Sequence, residues 1–329
     1  RPHLLASLLA VQYGELPATP AAPARCEQLH STTLRDMQGE QLHSLRVHAA
    51  HQGLPHFGLQ VWAPTGAGPW PVVLTGDACW HYATDAVKSE VLRRGYCLAQ
   101  FNRVELAADT SGPAPRAPFA AIATWAWGYR HCVDALLQLD FVNPDQIAVV
   151  GHSRGGKAAL LAGATDARIS LTSANNSGAG GAGCYRWQGH GAETLGDIVR
   201  AYPHWFSPRL AEYADNEHAL PFDQHTLKAL IAPRALLTTE ALDDLWANPE
   251  GTWQTHRAAL EVYRFLGAEQ RIAIHWRAGG HAHTLPDWCA LLDFADTQWR
   301  GHAPKNTSAL NPFAALPRAF QWAAPSTSE

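Results

Sequence analysis

The segment "VVGHSRGGKAAL" (149–160) holds the residue types best suited to do chemistry. In it, Gly151, Ser153 and Gly155 form a G-x-S-x-G pattern between an apolar, strand-like run and a helix-forming run. This strand–turn–helix frame raises a serine above the edge of a sheet, where its hydroxyl can act as a nucleophile. We therefore predict that Ser153 is a nucleophile rather than an ordinary helix-capping serine.

Two positively charged residues follow Ser153 closely in the sequence. Arg154 and Lys157 lie in the first turn of the predicted helix, where the dipole disfavours each positive charge by roughly 0.3–1 kcal/mol. Residues four apart share a helix face, so Lys157 can lie beside Ser153; the alternative is a solvated surface lysine. Arg154 can offer its guanidinium and its backbone N–H to an oxyanion. The pair indicates a substrate whose acyl part carries hydroxyls or becomes a carboxylate.

A serine nucleophile needs a base, which in an α/β-hydrolase comes late in the chain. His281 follows the strand-like run "RIAIHWRAGG" directly, and the glycines before it allow a loop to reach back to the serine. His283 is the neighbouring alternative among 18 histidines. The position of His281 at the strand end favours it over His283 as the base.

The acid of the triad has two possible places. After the strand that follows the nucleophile helix, the chain has Asn175 and Asn176, and an amide in this role costs about 10⁴ in turnover. The next strand end offers Glu240, Asp243 and Asp244. Adjacent side chains point in different directions, so only one of the two aspartates can face the base, and one of them can instead cap the helix that begins near residue 248.

Strand-like and helix-like segments alternate along the chain. Helical patterns cover 120–139 and 248–267, and the strand-like runs are 58–64, 71–77, 95–102, 145–153, 168–176, 233–244 and 271–281. This order predicts an α/β-hydrolase fold: a doubly wound, mostly parallel sheet in a three-layer αβα sandwich. We expect one domain over 1–329, with an N-terminal arm (1–40) and an insertion near the active site (178–223).

The composition excludes several classes of protein. The 329 residues carry a net charge of −4 and no basic run, which argues against nucleic-acid binding. No stretch reaches the roughly 18–20 apolar residues of a membrane span. The six cysteines form no C-x-x-C pair, so we expect no zinc or thioredoxin-type site. We also expect no cofactor. The chain starts at Arg1 without a signal-like segment, which suggests a processed or trimmed form.

Several segments together resemble the glucuronoyl esterases, the fifteenth carbohydrate esterase family, and in particular its bacterial members. The resemblance extends over nearly the whole chain, and it is carried by "GHSRGGKAALLAGATDARI", "NNSGAGGAGCYRW", "LPFDQHTLKALIAPR", "DLWANPEG" and "RAGGHAHTLPDW". It implies a metal-free esterase that cleaves esters between 4-O-methyl-glucuronic acid on xylan and lignin alcohols. It also implies export, so we expect a secreted or periplasmic protein, and a monomer.

The resemblance assigns roles residue by residue. Ser153 would be the nucleophile, Arg154 the oxyanion stabiliser and His281 the general base. The residues that would bind the sugar are Lys157, Glu193 and Trp246. His204, Trp205 and His225 lie in family-like stretches and could shape the pocket, although a structural role is the commoner fate of such residues.

Two features depart from the family pattern. Many members place the acid where this chain has Asn176, so the role would fall to Asp244 in the D-x-W frame. Fungal members also bridge cysteines near the nucleophile and the base. This chain has His152 and Thr284 at those places, and Cys184 lacks a fungal-type partner near residue 252. We therefore expect no fungal-type disulfide.

Two other functions remain open from the sequence. A carboxylesterase or acetyl-xylan esterase could use the same fold, since fold does not fix the substrate. It is distinguished by whether Lys157, Glu193 and Trp246 converge on the pocket of Ser153. A non-catalytic carbohydrate-binding relic is suggested by Asn176, and it predicts no carboxylate within hydrogen-bond reach of the histidine.

Overall fold

The computed structural model of the protein describes residues 1–16, 22–35, 39–48, 54–110, 119–304 and 311–325. Nine strands of this part of the chain form one sheet. They are β1 (Arg25–Thr33), β2 (Gln41–His48), β3 (Phe57–Ala63), β4 (Trp70–Thr75), β5 (Cys97–Phe101), β6 (Val142–His152), β7 (Leu171–Asn175), β8 (Ala235–Ala241) and β9 (Ile272–Arg277).

The helices follow the strands in the expected alternation. They are α1 (Pro2–Leu8), α2 (Asp85–Arg93), α3 (Ala121–Leu136), α4 (Arg154–Thr165), α5 (Leu195–Ala201), α6 (Gln224–Ile231), α7 (Pro249–Phe265) and α8 (Leu285–Arg300). A π-helical turn over Leu9–Tyr13 extends α1. Asn248 caps α7 through Gly251 N–H, and Pro249 is its first residue.

The sheet is mostly parallel. Its order is β1-β2-β3-β5-β4-β6-β7-β8-β9; the pairs β1–β2, β2–β3 and β3–β5 are antiparallel, and the remaining pairs are parallel. The seven strand-like runs of the sequence all form strands. The predicted doubly wound sheet of an α/β-hydrolase is therefore confirmed.

The core has two sides because alternate residues of the buried strands point to opposite faces. On β6, Ile147 and Val149 pack on the side of α3, α4, α6 and α7, whereas Ala148 and Val150 pack on the side of α2 and α8. Burial on both faces explains why the parallel strands read as continuous apolar runs. The result is the expected three-layer αβα sandwich.

The N-terminal region differs from a simple arm. The first helix packs on the domain through Leu8, and Val11 and Tyr13 of the π-helical turn are also buried. Residues 25–33 form the edge strand β1, which pairs with β2. β1 escapes the sequence patterns because it is exposed on most of its length and shows no apolar alternation. Residues 17–21 and 36–38 of the predicted arm lie outside the described residues.

The predicted insertion (178–223) packs against the sheet domain. Trp205 and Phe206 belong to the same hydrophobic cluster as the strands and α3. All six cysteines are free thiols. Within the ranges that the structure describes, no helix is long and apolar enough to cross a membrane.

Buried histidines couple the stability of the fold to pH. His256 in α7 is buried, and this burial, with smaller effects from Lys228 and Arg264, lowers the pKa of its ring to about 3. In the unfolded chain the pKa of histidine is about 6.5. Between these values the unfolded state binds one more proton, so the free energy of unfolding falls as pH drops below about 6.5.

We expect His256→Gln to flatten this dependence. Between about pH 4.5 and 6 the slope of the free energy of unfolding should fall by up to about 1.4 kcal/mol per pH unit, because one proton no longer binds on unfolding. Urea unfolding across this range measures the slope. His3, which is exposed on α1, provides the control variant His3→Gln. An unchanged slope in His256→Gln would contradict the prediction.

Candidate active site

Ser153 occupies a strained turn between β6 and α4. Its φ of 53° and ψ of −124° lie outside the ordinary regions, and its hydroxyl caps no N–H of the helix. The flanking glycines permit this turn. A Cβ at Gly151 would lie 2.2 Å from the carbonyl oxygen of Gly155, and one at Gly155 would lie 2.1 Å from Oδ1 of Asp77. The serine therefore has the geometry of a nucleophile elbow.

His281 and Asp244 form a hydrogen-bonded pair beside this turn. The distance from His281 Nδ1 to Asp244 Oδ2 is 2.6 Å, and the carboxylate is buried. With Nδ1 engaged, Nε2 is the ring nitrogen left for the cleft that Ser153 and His281 both line. A carboxylate in this position can orient the ring and stabilise its charged form.

The other predicted acids have different partners. Asp243 is exposed, and its Oδ2 accepts the backbone N–H of Gly279 at 2.8 Å, which fastens the loop before the histidine. Glu240 is buried and its Oε1 accepts the hydroxyl of Thr252 at 3.3 Å. Burial raises the pKa of Glu240 well above its ordinary value. Neither side chain hydrogen-bonds to His281.

The two asparagines fasten the end of β7. Nδ2 of Asn175 donates to the hydroxyl of Thr239 at 2.8 Å. Asn176, at a φ of 41°, accepts the N–H of Ala241 on its Oδ1 at 2.8 Å. Asn176 also lines the cleft, but neither amide bonds to His281.

Two further histidines pack beside the predicted base. The ring centroid of His152 lies 4.5 Å from that of His281, and burial lowers the pKa of His152 to about 3. His283 stacks on Trp288 with centroids 4.7 Å apart, and burial lowers its pKa well below the ordinary value. His283 does not line the cleft, whereas His281 does. The geometry thus favours His281 over His283.

Arg154 is held by a carboxylate and by aromatic rings. Its Nη1 donates to Asp109 Oδ2 at 3.0 Å, and its Cζ lies 4.5 Å from the ring centroid of Trp205 and 4.9 Å from that of Tyr202. Burial raises the pKa of Asp109. Hydrogen bonds from Trp205 and the charge of Arg154 outweigh this effect and hold the pKa below its ordinary value.

Lys157 is buried at the base of the cleft, not solvated. Its Nζ donates to the carbonyl oxygens of Ser177 at 2.7 Å and Ala179 at 2.5 Å, and lies 3.3 Å from Oε2 of Glu193. Burial lowers the pKa of Lys157, and the charge of Glu193 opposes this shift. All three donors of the ammonium thus have acceptors within the protein. A substrate hydroxyl would have to replace one of them.

Trp246 and Glu193 are joined through the backbone. Glu193 N–H donates to the carbonyl oxygen of Trp246 at 3.0 Å, so the D-x-W turn that carries Asp244 also positions the glutamate. The side chain of Trp246 is 51% exposed at the rim. A Cβ at Gly178 would come within 3.1 Å of Glu193 Oε2, which explains the glycine there.

The predicted residues surround one cleft of about 200 Å³. Of the seven residues predicted for catalysis or sugar binding, six line this cleft, and the seventh, Asp244, lies behind His281. The lining is formed by Ser153, Arg154, Lys157, Asn176, Ser177, Gly178, Glu193, Tyr202, Trp205, Trp246, Ala247 and His281. His204 reaches this region only through Asp109, at 3.3 Å. His225 lies elsewhere, with its ring tilted by 49° against that of Phe320 and the ring centroids 4.1 Å apart.

The sequence patterns did not indicate Asp77, Arg103, Asp109 or Tyr202. The segment 101–110, "FNRVELAADT", carries two of them and is the one signal that could have drawn attention to the arginine and its neighbouring aspartate. Among the described residues, no three His, Cys, Asp or Glu side chains are grouped so that they could hold a metal ion.

Comparisons with known proteins support one family. The family model "Glucuronyl esterase, fungi" matches residues 47–267. A carbohydrate esterase from an unknown prokaryotic organism is 38% identical over 200 residues, which cover 56% of this chain and 46% of that protein. The 4-O-methyl-glucuronoyl methylesterase of Podospora anserina is 34% identical over 239 residues, which cover 67% of this chain and 48% of that protein.

The fold comparison agrees with the sequence comparison. A glucuronoyl esterase of carbohydrate esterase family 15 from Caldicellulosiruptor kristjansonii superposes with a TM-score of 0.78 at 29% identity, covering 96% of this chain and 90% of that one. The chain spans about half the length of the curated relatives it matches. On the match over residues 47–267, the chain belongs to the glucuronoyl esterase family.

Proposed function

We propose that the protein is a serine esterase that hydrolyses esters of glucuronic acid or its 4-O-methyl ether, as in the links between lignin and glucuronoxylan. The observation that carries the proposal is the convergence of Arg154, Lys157, Glu193 and Trp246 on the cleft that holds Ser153. The names of the related methylesterases support the same reaction. No cofactor is needed for it.

Acylation begins with Ser153. Its Oγ attacks the uronoyl carbonyl carbon while Nε2 of His281 takes the hydroxyl proton, and Asp244 stabilises the imidazolium that forms. The carbonyl oxygen becomes an oxyanion that Arg154 stabilises with its charge and with hydrogen bonds. The tetrahedral intermediate collapses, and the alcohol leaves with the proton from His281.

Deacylation repeats these steps with water. The same histidine takes a proton from a water molecule, whose oxygen attacks the acyl carbon of the ester on Ser153. The second tetrahedral intermediate is stabilised in the same way by Arg154. Its collapse returns the proton to Ser153 and releases the uronate.

The sugar would lie between the polar side chains at the bottom of the cleft and an aromatic ring at its rim. The carboxylate of Glu193 can accept hydrogen bonds from sugar hydroxyls. Lys157 supplies positive charge and can exchange one internal acceptor for a hydroxyl. The exposed ring of Trp246 can cover an apolar face of the sugar.

The rival functions explain less of the site. An acetyl group is too small to reach Lys157, Glu193 and Trp246 as well as Ser153, so in an acetyl-xylan ester only the sugar of the leaving alcohol could contact them. A non-catalytic relic would need no buried carboxylate at 2.6 Å from the histidine, yet Asp244 is there. We further propose that the enzyme is secreted or periplasmic, because its polymeric substrate lies outside the cell. The monomeric state stays a prediction.

We expect the wild type to hydrolyse benzyl and methyl glucuronate, and Ser153→Ala to lower kcat by roughly 10⁴–10⁶-fold because no acyl-enzyme can form. Chromatographic detection of glucuronate measures the rate, with p-nitrophenyl acetate as a comparison substrate. Ser170→Ala is the matched control, since Ser170 lies outside the cleft and its hydroxyl bonds to the carbonyl oxygen of Ile147. Activity on the acetate alone would contradict the uronate assignment.

The proposal that Asp244 is the acid of the triad predicts how kcat responds when each of the three carboxylates is replaced by an amide. Asp244→Asn should lower kcat by about 10⁴-fold, because the amide cannot stabilise the imidazolium. Asp243→Asn and Glu240→Gln should stay within a few-fold of wild type, because neither carboxylate bonds to the base. Steady-state kinetics on benzyl glucuronate compares the three. A large loss in either control with little loss in Asp244→Asn would assign the acid elsewhere.

A further inference from the structure

Arg154 belongs to a cluster of two arginines and three tryptophans behind the cleft. We call it the arginine–tryptophan cluster: Trp80, Arg103, Trp125, Arg154 and Trp205. The Cζ of Arg103 lies 4.1 Å from the ring centroid of Trp80 and 4.9 Å from that of Trp125. The Cζ of Arg154 lies 5.5 Å from Trp80 and 4.5 Å from Trp205. The ring of Trp80 therefore contacts both guanidinium groups.

Two carboxylates neutralise this cluster. Asp77 accepts a hydrogen bond from Nη1 of Arg103. Asp109 Oδ2 accepts Nη1 of Arg154 at 3.0 Å and lies 4.0 Å from Nη2 of Arg103. The other oxygen of Asp109 accepts Nε1 of Trp205 at 2.9 Å. Asp109 thus connects the two arginines and a ring that lines the cleft.

The three nitrogens of the Arg154 guanidinium differ in their surroundings. Nη1 is engaged by Asp109, and Nε is buried without a partner among the described residues. Nη2 has no hydrogen-bond partner in the same part of the chain, and the side chain of Arg154 is 23% exposed. Nη2 is therefore the nitrogen available to a substrate oxygen. Aromatic faces restrain the plane of a guanidinium, but they do not fix its rotation within that plane.

We infer that Asp109 is a positioning residue that fixes the rotation of the Arg154 guanidinium, so that Nη2 meets the oxyanion. This inference rests on the proposed function. Asp109 does not line the cleft, so it acts on the substrate only through the two side chains that it holds there, Arg154 and Trp205, and Asp109→Asn keeps the acceptor for Trp205. A preorganised donor stabilises the transition state without reorganising during the reaction, and a misplacement of about 1 Å can cost about 10²-fold in rate.

Asp109→Asn tests this role at constant size. The amide oxygen can still accept from Trp205, whereas its NH₂ group would face the donor Nη1 of Arg154. We expect kcat on benzyl glucuronate to fall roughly 10- to 100-fold with KM within a few-fold of wild type, because the interaction matters only in the transition state. Thermal unfolding checks the fold of the variant. Should Asp109→Asn not fold, Asp109→Glu, which displaces the carboxylate by one methylene, is read in the same way.

A double-mutant cycle separates positioning from a general structural effect. In an Arg154→Ala background, Asp109→Asn should change kcat by no more than about 2-fold, because the group it positions is gone. If the fold losses in kcat of the two single variants multiply in the double variant, the inference is overturned. Asp134 provides the matched control: it is a buried carboxylate that accepts from Arg168 outside the cleft, so Asp134→Asn should leave kcat unchanged.

Rescue by free guanidinium gives an independent readout. Arg154→Ala leaves a space beside Trp80, Trp205 and Asp109. Added guanidinium, well below unfolding concentrations, should restore part of kcat in Arg154→Ala but not in the double variant Asp109→Asn/Arg154→Ala. Equal rescue in both would overturn the role of Asp109.

The proposed esterase function and the positioning role of Asp109 can be contradicted separately. A wild type without turnover on any glucuronate ester would overturn the proposed function and this inference with it. Normal wild-type turnover that Asp109→Asn leaves unchanged would overturn the inference alone.

Discussion

The close approach of α4 to the end of β4 is the constraint on which the site depends. A side chain at Gly155 would collide with Asp77, so the first turn of α4 requires glycine at this position. Asp77 also accepts the N–H of His152 at 2.7 Å and bonds to Arg103. One buried carboxylate thus joins two strand ends, the turn that carries Ser153 and Arg103, the neighbour of Arg154 in the arginine–tryptophan cluster.

Two charged side chains that face the cleft, Arg154 and His281, have their counter-charges placed behind them. Arg154 has Asp109 at 3.0 Å and His281 has Asp244 at 2.6 Å. A buried charge is costly unless it is paired and hydrogen-bonded, so these partners make a cationic cleft compatible with a stable fold. The pairs also restrict the rotation of the Arg154 and His281 side chains.

The sequence was sufficient to predict the parallel sheet, and most of the residues it assigned to the site line one cleft, because both assignments depend on local signals. Ser153 lies in a strand–turn–helix pattern, and His281 follows a strand end. The supports of Arg154 could not be predicted in this way. Asp109 lies 45 residues away from Arg154 in the chain, and only the order of the strands brings the two together. The tight packing that requires Asp77 is likewise visible only in three dimensions.

The strand that the sequence patterns missed has a consequence for self-association. β1 ends the sheet on one side, and an edge strand offers unpaired N–H and C=O groups to other chains. Its side chains are mostly polar and exposed, and its pairing with β2 is irregular between Gln28 and His30. Polar side chains and a bulge are features that discourage a second sheet from adding to an edge. The polar residues that hide β1 from the sequence patterns thus also protect this edge of the sheet against aggregation.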